Sequence, residues 1–193
     1  MQSKKEDVLN TALALFAAHG YHAVGVDRIA QEAGVSKMTL YKYFPTKDVL
    51  IESVLVQRDL LFCTSVAQAV ADADPADCLA QVQAVFVWHG EWFCGGAFHG
   101  CMFIKASEEY PEPGTEIRRI SMLHKANMRR VLADILGAGG VEDASLLADH
   151  LLLVLEGMIV NANMFGDPGC VETGWHFVRE LLEPRLDRTA LTP

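Results

Sequence analysis

Seven residues in the first quarter of this 193-residue chain carry groups that could hold a phosphate or read a base edge. Lys37, Met38, Thr39, Tyr41, Lys42 and Tyr43 fall in one short segment, SKMTLYKYF, and Lys47 follows closely. A lysine ammonium donates to phosphates or guanine edges, a threonine reaches a base or a methyl, and a phenol bonds phosphate. Wound as a helix at about 100° per residue, the segment places Leu40 and Phe44 on one face. Met38, Thr39 and Lys42 fall opposite, Tyr43 lies beside them, and Lys37 and Tyr41 flank the apolar side. The result is a small helix with an apolar back and a front suited to a DNA major groove. Lys47 stands at the start of the next helix, where the first backbone amides also attract an anion.

The elements that must position this front are helical. Val8, Leu9, Ala12, Leu13, Leu15 and Phe16 recur at helical spacing, with Gly20 as a stop. Val26, Ile29, Ala30 and Ala33 form a second short helix ended by Gly34. Ser36 caps a third that runs to about Phe44, and Pro45-Thr46 breaks it. Helix, glycine turn, capping serine, helix is the outline of a helix-turn-helix. The same outline also occurs as an ordinary three-helix subdomain with a solvated lysine face, and the residues alone leave both readings open.

Six further helices are predicted: from Thr46 through Leu61 to about Ala71, Ala76 to Trp92, Cys101 to Tyr110, Thr115 to Leu136, Asp143 to Phe165, and Cys170 to Leu186, with a loose tail after Pro184. No segment alternates like a strand. The expected fold is all-α with about nine helices: a DNA-binding domain at 1–46 and a larger helical domain for ligand binding and dimerisation at 47–193.

Charge is divided along the chain. Residues 1–48 hold six Lys/Arg against five Asp/Glu, a net of +1, and the remainder carries −10 of the total −9. Only the first quarter tolerates a polyanion, so the acidic total does not argue against DNA. The five scattered cysteines read as reduced thiols of a cytoplasmic protein. The start of the chain lacks a secretory apolar segment. The richest apolar run, Leu151 to Val160, carries Glu156 and Gly157 and is too short to span a membrane.

The segment VDRIAQEAGVSKMTLYKYFPTKDVL, with LFAAHGY before it, resembles the N-terminal signature of the tetracycline-repressor (TetR/AcrR) family. The signature is an Ile-Ala pair, then Ala-Gly-Val-Ser, then a Leu-Tyr-x-x-Phe helix, then Lys and an apolar residue, and residues 8 to 50 all fit it. Met38 stands where Gly or Ala is common. Gly25 stands where a Thr or Ser usually caps the second helix and touches phosphate. The back half matches only in helix count and in LEGMIVNANMFGDPG, which is similar to the penultimate helix and the turn after it.

One reading helix makes too little contact for a unique site, so such proteins pair, and two-fold symmetry matches a palindromic operator. The helix from Asp143 to Phe165 is apolar nearly all round, as expected of a helix buried on two sides. One side faces its own domain. The other, with Val171, Trp175, Val178 and Leu182 of the last helix, completes a four-helix bundle with a second copy. The alternative is a single large monomeric core.

The middle helices supply pocket-lining residues for a mostly apolar or aromatic small molecule: Phe86, Trp88, Trp92, Phe103, Met122, His124 and Asn127, with Glu156 and Asn163 from the apolar helix. The resemblance implies that such a ligand is an inducer releasing a repressor from DNA, a coupling between two sites of one dimer. His89, Cys94, His99 and Cys101 are all metal-ligating types, but their spacing matches no strong metal pattern, so no metal or cofactor is expected. Neither Cys94 nor Cys101 has a sequence neighbour that would activate it. The chain shows no phosphate loop, hydrolase serine motif or catalytic carboxylate pair, and Glu108-Glu109 reads as a solvated helix end. An enzyme or small-molecule carrier without DNA binding is the competing class of function.

Overall fold

The computed structural model describes residues 3–189, which form nine α-helices and no strand. They are α1 (Lys4–His19), α2 (Val26–Glu32), α3 (Lys37–Tyr43), α4 (Lys47–Ala71), α5 (Cys78–Cys94), α6 (Met102–Glu109), α7 (Glu116–Ala138), α8 (Ala144–Phe165) and α9 (Cys170–Thr189). The all-α expectation holds, with boundaries displaced by a residue or two. The last helix differs more: it continues through Pro184 to Thr189, where the sequence suggests an earlier end. Proline removes one backbone donor, and this helix bridges the gap. Residues 190–193, the rest of the expected loose tail, lie outside the described residues.

The chain divides into two compact units. One comprises the chain up to Leu61 together with Cys101–His124. The other comprises Phe62–Gly100 and the chain from Lys125 onward. Helices α4 and α7 each contribute to both, and α6 belongs to the first.

In the first unit, α1 opens on a reciprocal capping box. Ser3 Oγ accepts from the Glu6 amide at 3.3 Å, and Glu6 Oε2 accepts from the Ser3 amide at 2.8 Å. Helices α1, α2 and α3 pack on one another around Val8, Ala12, Leu15, Phe16, Ile29, Ala30, Leu40 and Phe44, all buried. The α2–α3 turn passes through Gly34 at φ +65°, a left-handed conformation that suits glycine, and Val35 donates to the Ala30 carbonyl at 3.0 Å.

In the second unit, α5, α8 and α9 pack on one another. Gly174 lets α9 approach α8 closely, since a Cβ there would lie 2.4 Å from Met158 Sδ and 3.2 Å from Val154 Cγ1. Arg129 of α7 bridges to Asp149 and Ser145 at the start of α8. By length and composition alone α8 could cross a membrane, with a mean hydropathy of 1.5 over its most apolar window. The helix is longer than the Leu151–Val160 run, with Leu146, Leu147, Ala162, Met164 and Phe165 beyond it, and a core helix meets the same criterion. Here Leu147, Leu151, Leu155, Met158 and Ile159 are buried in the unit.

Candidate nucleic-acid interface

Helix α3 begins at Ser36, whose hydroxyl accepts from the Thr39 amide at 3.1 Å. Its apolar back is complete, with Leu40 and Phe44 no more than 1% exposed. The opposite side faces solvent: Met38 is 82% exposed, Tyr41 39%, and Lys42 is exposed as well. Tyr43 is half-buried. Two residues of the front already have partners. The Lys37 ammonium lies 2.7 Å from Asp27 Oδ1, which raises its pKa, and the Thr39 hydroxyl lies 2.8 Å from that of Ser36. Lys42 has no partner among the described residues.

Thr46 caps α4 by accepting from the Val49 amide at 3.1 Å, with Lys47 half-buried in the first turn. The start of α2 carries no side-chain cap, as Gly25 dictates. Nothing local in the sequence signals the Lys37–Asp27 pair. The two residues are ten positions apart, and only the turn between α2 and α3 brings them together. Arg28 is a further cation of this head; it stands exposed on α2, bonded to Glu32 Oε1 at 2.7 Å and 3.2 Å from His19 Nε2.

The residues expected to line a ligand pocket fall in both units. In the first, the rings of Phe103 and His124 stack at 3.7 Å and 11°, both buried, and His124 Nδ1 lies 2.7 Å from Asp59 Oδ1. Met122, two residues before His124, points to solvent. In the second, Trp88 and Trp92 are half-buried in an aromatic cluster with Phe62, His89, Phe93 and Phe98, and Trp88 Nε1 donates to Ser65 Oγ at 2.7 Å. Phe86 is buried 5.6 Å from Trp175. Asn127 is half-buried, and Glu156 faces Lys125 at 3.4 Å. Asn163 is exposed and lines a cavity of about 220 Å³ with Phe93, Phe98 and Pro168. A groove of about 500 Å³ runs between α8 and α9 past Met158, Phe165, Cys170 and Thr173.

Among the described residues, His89, Cys94 and His99 do not gather into a metal-binding group. His89 is buried with Nδ1 2.7 Å from the Val85 carbonyl, while Cys94 and His99 are exposed. Cys101 has a cationic neighbour that its sequence surroundings do not reveal. Burial lowers the pKa of the Arg58 guanidinium, and Cys101 acts in the opposite direction.

A three-helix head with an apolar-backed, cation-bearing third helix defines a helix-turn-helix DNA-binding protein. Residues 8–54 match the family of bacterial regulatory proteins of the tetR type. A TetR-family transcriptional regulator from Streptomyces coelicolor is similar in structure, with 33% identity, a TM-score of 0.88, and coverage of 96% of this chain and 97% of that one. A putative TetR-type regulator from Streptomyces avermitilis follows at 27% identity and 0.78, covering 93% and 98%. The HTH-type transcriptional regulator YjdC of Escherichia coli is 24% identical over 182 residues, 93% of each chain.

The chain belongs to the TetR family and is a DNA-binding transcriptional regulator. These relatives are regulators of transcription, which sets aside the enzyme or carrier alternative.

Proposed function

We propose that this protein is a cytoplasmic repressor that binds a palindromic operator as a homodimer and leaves it when a small molecule binds. Residues 1–46 form the DNA-binding domain, and 47–193 serve ligand binding and dimerisation. Lys42, Met38, Tyr41 and Tyr43 face the major groove, with Lys37, Thr39 and Lys47 holding position on base or phosphate. The observation that carries this reading is the front of α3: a free lysine and exposed Met38 and Tyr41 on a helix whose back is fully packed.

Pairing is supported by the outer side of α8. Leu146, Leu153 and Val160 recur every seven residues there, and Leu153 is 68% exposed. An apolar stripe of this kind suits a second copy of the same helix, with α9 beside it. An apolar or aromatic inducer is supported by the aromatic cluster around Trp88 and Trp92. Phe86, Phe103, Met122, His124, Asn127, Glu156 and Asn163 remain the proposed ligand-lining set.

A gel-shift titration with DNA from around the protein's own gene, repeated at several salt concentrations, tests the reading. A saturable shift that beats scrambled DNA and weakens steeply with salt is expected. The same assay then screens for a compound that releases the DNA. Binding indifferent to sequence would contradict the operator, and a complex with one protein chain per duplex would contradict the dimer.

A further inference from the structure

A set of long-range hydrogen bonds in the first unit joins α6 to the end of α1, although the two are more than eighty residues apart in sequence. The Glu109 carboxylate accepts the Tyr21 amide through both oxygens, at 2.9 and 3.0 Å, and the His22 amide through Oε2 at 2.5 Å. His22 Nε2 lies 2.8 Å from the Glu109 carbonyl. The Tyr21 hydroxyl donates to the carbonyl of Met102, the first residue of α6, at 2.9 Å. Lys105 Nζ donates to the Ala17 carbonyl at 2.8 Å and so places a cation at the C-terminus of α1.

The turn is shaped for this attachment. Gly20 adopts φ +80°, and a Cβ there would lie 2.7 Å from Glu109 Oε1. Tyr21 is fully buried, tilted against Phe16 at 5.2 Å and edge-on to Tyr110 at 6.2 Å. The His22 ring lies over Tyr110 at 4.8 Å. Glu109 therefore does not behave as the solvated helix end that its sequence suggests. It accepts two amides just past the end of α1, where the chain has left the helix and its repeating amide-to-carbonyl pattern.

We propose that Glu109 is a positioning residue for DNA recognition. Its carboxylate clamps the α1–α2 turn to α6, so α6 works as a fourth helix of the reading head, and operator affinity depends on the clamp. Glu109 touches no DNA in this account. It acts through Tyr21 and His22 on α1 and α2, against which α3 packs. The proposal rests on the chain being a DNA-binding regulator and goes beyond the repressor reading, since it requires neither an inducer nor a dimer.

Simple electrostatics makes the opposite expectation. Glu109→Gln removes a negative charge from the DNA-binding unit, and less negative charge near a polyanion tightens binding. The clamp requires weaker binding, because a neutral amide has one acceptor oxygen where the carboxylate has two. The test is fluorescence anisotropy with a duplex enriched by the wild-type protein from a random library, read for wild type, Glu109→Gln, Glu109→Asp and Tyr21→Phe.

Glu109→Gln is expected to lose affinity by about tenfold, within the usual span of coupling between sites. Its salt dependence should not change, because no phosphate contact is lost. Tyr21→Phe removes one hydroxyl bond without a charge change and is expected to lose less. Glu109→Asp should recover part of the loss. Hydrogen exchange at the Tyr21 and His22 amides should quicken in Glu109→Gln while exchange in the middle of α8 does not, which separates a local clamp from general unfolding. Unchanged or tighter binding by Glu109→Gln overturns the proposal. If the wild-type chain enriches no duplex at all, the DNA-binding reading fails, and the clamp falls with it.

Discussion

The Lys37 ammonium is held 2.7 Å from the Asp27 carboxylate, so one of the two lysines on α3 is partly neutralised by α2 before any DNA arrives. Lys42, one turn further on, has no such partner among the described residues. The two lysines should therefore differ in their effect on binding. Lys42→Ala is expected to weaken operator binding more than Lys37→Ala. If Lys42 contacts phosphate, its loss should also flatten the salt dependence by about one per reading head. Asp27→Asn should tighten binding by releasing Lys37. Anisotropy titrations at several salt concentrations check all three.

The outer stripe of α8 makes a second expectation. Leu153→Lys should convert a dimer into a monomer in sedimentation equilibrium while the helical circular dichroism stays unchanged, because most of the Leu153 side chain is exposed in the single chain. Operator affinity should fall with it, since a monomer presents one reading helix.

Gly174 tests the packing of α8 on α9. Gly174→Val must place its branched side chain where Met158 and Val154 already lie, an overpacking expected to cost about 1–3 kcal/mol in urea unfolding. Gly157→Ala is the control. A Cβ at Gly157 meets nothing within 4 Å, so helix propensity should leave this variant as stable as wild type or slightly more stable.

Glu52 supplies a pH dependence. Burial raises its pKa, and the neighbouring Glu116 and Asp48 charges add to the effect. The folded state thus binds this proton more tightly than the unfolded chain does. The stabilisation is present below the unfolded pKa and is lost as pH rises through the folded one. Glu52→Gln, which mimics the protonated form, should melt higher than wild type at neutral pH. The difference should shrink towards zero near about pH 4. A difference that grows in acid would reverse the assignment.

Much of this architecture is legible in the sequence because helix signals are local. Ser36 and Thr46 announce caps, Gly20 and Gly34 announce stops, and the spacing of Leu40 and Phe44 orients the reading helix without reference to anything distant. What sequence does not carry is pairing across the fold. Glu109 reads as a solvated acid before a proline, yet Tyr21 and His22 meet it from nearly ninety residues away. Asp27 and Lys37 meet only because of the turn between them. Pocket-lining residues share a composition with any core, so composition does not separate Met122, which points to solvent, from His124, which lies two residues on, about 200° round the same helix, stacked on Phe103.

The most direct measurement is a selection of duplexes by the full-length protein from a randomised library, sequenced over successive rounds. The expected result is one enriched motif with two inverted half-sites, bound more weakly when Lys42→Ala replaces wild type. Failure to enrich any motif, or binding of the motif by Lys42→Ala as tight as by wild type, would contradict recognition of a palindromic operator by the exposed front of α3.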